Sequence, residues 1–161
     1  MDELRSGLVV EGYASVFGLR DLNDDVVVAG AFRDSVALVG AGGVKMLYQH
    51  EPDEPIGVWT DIYEDHHGLY VVGRVFTDTS RGRLAARLVQ AGALDGLSIG
   101  YRVHGSRQDD TRRLRYLTKL ELWEVSLVTF PMLPQARVSR FGGEVASDQL
   151  AAQTAQWAHQ N

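Results

Sequence analysis

Gly96-Leu97-Ser98-Ile99-Gly100-Tyr101 is the stretch on which the reading of this fold turns. Its letters, Gly-x-Ser-x-Gly, spell the nucleophile elbow of α/β-hydrolases, in which a strand leads into the serine and a helix leaves it. The flanking sequence runs the other way. Ser80 to Gln90 reads as a helix before the serine, with Leu84, Leu88 and Ala91 on one face, whereas Ser98 to Val103 reads as a strand through and after it. The hydrolase order is also serine, acid, histidine, and the well-placed histidine here, His50, precedes the serine. The elbow is excluded, and with it the doubly wound hydrolase fold.

Working outward, Gly7 to Phe17 alternates as a strand, Val26-Val27-Val28 forms a short one, and Gly30-Ala31-Phe32 opens a helix through Val39. Val44 to His50 is extended until Glu51-Pro52-Asp53-Glu54-Pro55 breaks it. Ile56 to Tyr63 and Leu69 to Phe76 flank a hairpin turn at Glu64 to Gly68. His104 to Arg115 is polar and reads as a long connection or loop, Tyr116 to Phe130 as the longest extended run, and Ala136 to Phe141 as a last strand. The sum is seven or so strands joined mostly by turns, two internal helices and one terminal helix, with no regular strand–helix alternation. That pattern predicts an α+β fold, a mainly antiparallel, barrel-like β-sheet with peripheral helices. Residues 1–141 form one domain in this reading, and 142–161 a Gly-Gly hinge and a helix capped by Ser147 or tail.

The 161 residues suit a single core, and 45% hydrophobic with 23% charged residues is ordinary for a soluble domain. A formal charge of −5 gives no global attraction to nucleic acid or an anionic membrane. The absence of cysteine excludes disulfides, thiolate zinc sites and cysteine nucleophiles. No apolar run reaches the ~18 residues of a membrane span, and the mixed-charge N-terminus lacks a signal-peptide core. Asp21-Leu22-Asn23-Asp24-Asp25 spells the start of a calcium loop, but Val26 and Phe32 occupy its glycine and closing-acid positions. His66-His67 sits in an exposed turn, where neighbouring side chains diverge. No metal or cofactor is expected.

Three residues carry chemistry. Serine is a weak nucleophile without a base and an orienting group. His50, at the end of an apolar strand, has a reference pKa suited to accepting a proton; it also fits a locally bonded strand-end histidine. Ser98 fits a tight strand position as well as a nucleophile, although Gly96 and Gly100 admit close approach by another backbone, such as a peptide substrate. Glu124 alternates with Leu120, Leu122, Ser126 and Val128, and a carboxylate in that row needs a partner. It can orient His50 or pair with an arginine or lysine, and Glu121, on the other face, is the fallback acid.

Four segments in this order and spacing resemble a known family. They are Gly12-Tyr13-Ala14-Ser15-Val16-Phe17-Gly18, Leu47-Tyr48-Gln49-His50 followed by Pro55-Ile56-Gly57, the Ser98 stretch, and Glu121-Leu122-Trp123-Glu124-Val125-Ser126-Leu127-Val128-Thr129-Phe130-Pro131. From Gly7 to Val138 the chain resembles the tailed-phage prohead (capsid maturation) proteases, distantly related to the herpesvirus assemblins; gene transfer agents use similar proteins. The resemblance implies an assemblin-like barrel and a serine endopeptidase in which Ser98 matches the nucleophile, His50 the general base and Glu124 the acidic third member. It implies work in the host cytoplasm, inside the assembling procapsid, on the major capsid protein, its scaffolding segment and the enzyme itself. The alternatives are a non-catalytic capsid-assembly or scaffold-binding domain on the same fold, and a small-molecule esterase.

Overall fold

The computed structural model describes residues 7–142. Eight strands lie among them: β1 (Leu8–Val16), β2 (Asp25–Val27), β3 (Lys45–Tyr48), β4 (Gly57–Glu64), β5 (Gly68–Val75), β6 (Gly96–Asp109), β7 (Leu114–Val128) and β8 (Val138–Gly142). Two helices, α1 (Arg33–Val39) and α2 (Ser80–Gln90), interrupt them. Alternating apolar positions produce the strands: Leu8, Val10, Ala14 and Val16 of β1 are buried, as are Leu120 and Leu122 and, beyond a bulge at Trp123, Val125 and Leu127 of β7. Thr79 caps α2 through its side-chain oxygen, and Ala85, Ala86 and Val89 form the helix's buried face. Trp59, Leu69, Val71, Leu97, Leu117 and Leu127 lie in one continuous core.

The strand path is β2-β7-β3-β4-β5-β1-β8, with β6 paired to β7. The expected mainly antiparallel, barrel-like sheet is therefore met in part: the sheet is open and mixed. Both β2 and β3 run parallel to β7, and the other ladders are antiparallel. Alternation of side chains reports which face a residue takes but not the direction of the neighbouring strand, so the parallel pairs leave no mark in the pattern. The lead-in to β8 ties to the start of β6 through a lone Gly96–Arg137 bridge, with Leu97 N donating to Ala136 O at 3.0 Å.

A second correction concerns His104 to Arg115. Most of this stretch is a paired ribbon, because β6 continues to Asp109 and β7 begins at Leu114. Both faces of the ribbon are largely exposed, so no apolar alternation marks it. Cross-strand stacking supplies the missing contacts: the Arg107 guanidinium lies 4.6 Å from the Tyr116 ring centre, and that of Arg102 lies 5.0 Å from Trp123. The ribbon's parallel neighbour β2 is pinned where buried Asp25 accepts two hydrogen bonds from Arg115, at 2.8 and 2.9 Å. β8 runs one residue past the expected boundary at 141, and the expected C-terminal helix lies outside the described residues. No helix among the described residues is long and apolar enough to cross a membrane.

Candidate active site

The site is assembled on β7, which lies between β6 on one edge and β3 on the other. Register sets it. Ser98 of β6 stands opposite Ser126 of β7, and Gly100 opposite Glu124. Directly opposed residues share a face, so Ser98, Ser126 and Glu124 all project to one side of the strand pair. Along the other edge, β3 runs parallel with Leu47 beside Ser126 and Tyr48 beside Leu127. The chain then turns sharply and delivers His50 back toward Glu124.

That turn is unusual for its residues. Glu51 N donates to Tyr48 O at 2.9 Å, closing a four-residue turn whose central residues, Gln49 and His50, have φ of 52° and 61°. Positive φ at both centres is the pattern of a type I′ turn, which normally recruits Asn-Gly. Placing glutamine and histidine there costs about 1–3 kcal/mol each. Interactions with β7 offset the cost. Gln49 N donates to Leu127 O at 2.9 Å, Gln49 Nε2 donates to Thr129 Oγ1 at 2.7 Å, and Thr129 N donates to Gln49 Oε1 at 3.1 Å. His50 N donates to Ser126 Oγ at 3.1 Å.

His50 Nδ1 is hydrogen-bonded to Glu124 Oε1, and the other carboxylate oxygen, Oε2, accepts from Ser126 Oγ at 2.6 Å. Of the two openings read from sequence for Glu124, contact with His50 is the one present. The hydrogen bond to Glu124 raises the imidazole pKa above its ordinary value, against burial, which pulls it down. The ring is half-exposed whereas the Glu124 side chain is only 13% exposed, so the ring is open to solvent and the acid is not. Glu121 is not part of this group: the bulge at Trp123 brings it to the same face as Glu124, against the expectation from alternation, but farther along the hairpin, where it meets His104 Nε2 at 2.8 Å.

Ser98 is 5% exposed, one strand from the histidine–carboxylate pair and on the same face. No hydrogen bond joins its hydroxyl to the ring among the described contacts. A cavity of about 30 Å³ adjoins it, walled by Ala14, Val16, Val27, Ile99 and Met132. Both flanking glycines are required by the chain's own packing. A Cβ on Gly100 would lie 2.4 Å from Glu124 Oε1, and one on Gly96 2.6 Å from Val128 O. Immediately after Gly100 the register shifts, so Tyr101 pairs with Leu122. Such bulges re-aim side chains beside functional sites.

Sequence reasoning missed Gln49, Thr129 and Ser126. Ser126 alone left a signal, being a polar residue two positions from Glu124 in an otherwise apolar row.

The other two polar motifs are bonded within the chain. Asp21 Oδ1 accepts from Asn23 N and Asp25 N at 2.8 and 3.0 Å, which makes the acidic loop a self-bonded turn. Asp65 caps the β4–β5 hairpin by accepting from His67 N at 2.8 Å and from the Tyr13 hydroxyl.

A mixed sheet with these peripheral helices is a fold used by viral proteases. The chain matches the protease of Kaposi's sarcoma-associated herpesvirus, solved with a hexapeptide phosphonate inhibitor, at a TM-score of 0.56 and 15% identity over 95% of this chain and 77% of that one. It matches the bacteriophage T4 capsid assembly protease at a TM-score of 0.58 and 17% identity over 76% of this chain and 81% of that one. The chain belongs to the caudovirus prohead serine protease family, whose model matches residues 1–152. Among its relatives, the prohead protease of Enterobacteria phage HK97 is 32% identical over 81% of this chain, and that of Escherichia phage T5 is 29% identical over 80%. The matched region spans 59% and 61% of those two relatives' own lengths.

Proposed function

We propose that this chain is a serine endopeptidase of capsid maturation, with Ser98 as nucleophile, His50 as general base and Glu124 as the acid that orients the imidazole. The observation that carries the reading is the hydrogen bond between His50 Nδ1 and Glu124, formed on the face of the β6–β7 pair that bears Ser98. With Nδ1–H held by the carboxylate, Nε2 is left with its lone pair.

Ser98 Oγ attacks the scissile carbonyl carbon while Nε2 takes the hydroxyl proton. The tetrahedral intermediate collapses as Nε2–H gives that proton to the leaving amine, breaking the C–N bond and leaving an acyl ester on Ser98. Water then attacks the ester carbonyl, His50 again accepts the proton and returns it to Ser98 Oγ, and the acid product departs. Glu124 stays ionised and stabilises the imidazolium formed in each half. Backbone amides near Ser98 supply the oxyanion donors, a contribution typically worth about 3 kcal/mol each.

The substrates in this reading are the capsid protein, its scaffolding segment and the chain itself, inside the assembling procapsid of the infected cell. Family membership and the proteases named among its relatives support that choice. Exposed Leu22 and Phe130, with Leu19 and Met132 at the cavity rim, give the serine side of the site an apolar border for an extended peptide. An imidazole held on a carboxylate by two left-handed residues supports the catalytic reading over a non-catalytic assembly domain.

Co-expression with the cognate capsid protein, followed by mass spectrometry of both chains, tests the proposal. The wild type yields shortened capsid protein and the Ser98→Ala variant leaves both chains full length. Unchanged processing by Ser98→Ala would exclude this serine as the nucleophile.

A further inference from the structure

Ser126 is fully buried, and its hydroxyl stands between two parts of the same histidine. A serine hydroxyl offers one proton and two lone pairs. Here the proton goes to Glu124 Oε2 at 2.6 Å, and a lone pair accepts His50 N–H at 3.1 Å. Glu124 Oε1 in turn contacts His50 Nδ1. The bonds close a ring: from the backbone nitrogen of His50 through Ser126 to the carboxylate, and back to the imidazole of the same residue. Both ends of the His50 side chain are thereby fixed by one strand. The backbone end lies in a left-handed turn that would otherwise leave its N–H without this acceptor.

We propose that Ser126 is a positioning residue of the site: its hydroxyl clamps the Glu124 carboxylate and the His50 backbone together, so that the imidazole presents a single orientation toward Ser98. The proposal rests on the proteolytic reading for the purpose of that orientation; the clamp itself rests on the hydrogen bonds alone. Without the hydroxyl, Glu124 Oε2 loses its donor and His50 N–H loses its acceptor. The carboxylate is then free to leave the ring.

Two readouts on the full chain separate this role from simple core filling. Nuclear magnetic resonance of ¹⁵N-histidine-labelled protein follows the ring directly, with His50 assigned by its absence in His50→Gln. Among the described residues, Glu124 is the ionisable group that acts on this imidazole. In the wild type the ring shows a low-field Nδ1–H signal and a titration midpoint above that of an ordinary histidine. In Ser126→Ala the low-field signal disappears and the midpoint falls toward the ordinary value, while Ser126→Thr, which keeps the hydroxyl, retains both. A midpoint that stays put or rises in Ser126→Ala would overturn the proposal, because the carboxylate then remains on the ring unaided.

The second readout is the rate of labelling by a fluorophosphonate probe, expected to drop about 10–100-fold in Ser126→Ala and to recover in Ser126→Thr. An unchanged rate in Ser126→Ala tells against the clamp. Should Ser126→Ala fail to fold by circular dichroism, Ser126→Cys replaces it, a near-isosteric change to a weak donor. Equal histidine spectra for the Cys and Thr variants overturn the proposal in that case. Absence of Ser98-dependent labelling in the wild type counts against proteolysis, whereas the ring spectra decide the clamp independently.

Discussion

His50 combines a backbone conformation that few side chains tolerate with a ring whose proton affinity is set by one neighbour. Because the hydrogen bond to Glu124 raises its pKa, the neutral form needed for a general base is populated only above that raised value. The acidic limb of kcat/KM should therefore lie above the ordinary histidine midpoint of about 6.5, and Glu124→Gln should move it down toward that value, as a pH–rate series would show. Stability carries the complementary sign. A pKa raised on folding means that the native state binds the proton more tightly than the unfolded chain. The contribution is fully present below about pH 6.5 and is lost as pH rises through the folded value. Thermal melts should thus show a larger wild-type advantage over Glu124→Gln near pH 5.5 than near pH 8.5. At this scale the sequence was informative about which residue types matter: a carboxylate in an apolar row, an imidazole at a strand end and a serine between glycines. It was silent about Gln49 and Thr129, whose importance comes from a turn type that glutamine and histidine do not advertise.

Among the elements, the β6–β7 hairpin holds the site open by leaving out a side chain. Gly100 faces Glu124, and any Cβ there would collide with the carboxylate rather than with a movable apolar group. Gly100→Ala should leave the far-ultraviolet spectrum unchanged while lowering proteolysis at least tenfold, since a misplaced orienting acid costs catalysis without unfolding a sheet. Retained activity would show that the carboxylate can shift without consequence. Farther along the same hairpin, Asp25 accepts both Arg115 bonds while almost wholly buried. Arg115→Ala should cost about 3–5 kcal/mol by denaturant titration, because it leaves the buried Asp25 carboxylate without its paired charge. The ribbon from His104 to Arg115 reads as a loop because backbone pairing and an arginine stacked on a tyrosine, rather than apolar alternation, hold it together. Direction of pairing was equally hidden: β2 and β3 look like ordinary strands, and only their long crossovers to β7 make them parallel.

Across the whole molecule, the core and the site share β7. Trp59 is 2% exposed and donates from Nε1 to Val125 O at 3.2 Å, directly beside Glu124 in the chain. Trp59→Ala should destabilise the fold by about 3–5 kcal/mol, measurable in urea, and should weaken activity even in the folded fraction. The general class of fold was readable because most strands alternate cleanly and turn residues punctuate them; openness of the sheet was not, since β6 and the lead-in to β8 meet only in the short contact around the Gly96–Arg137 bridge, which no pattern marks. The placement of the site's parts along the chain has one further outcome. A polypeptide emerging from the ribosome exposes positions 50 and 98 well before positions 124 to 129 follow. Until β7 docks between its neighbours, the turn has nothing to grip and the imidazole has no carboxylate. On the proposed mechanism a growing chain therefore carries no competent base, and a message cut short inside this strand yields a fragment without one.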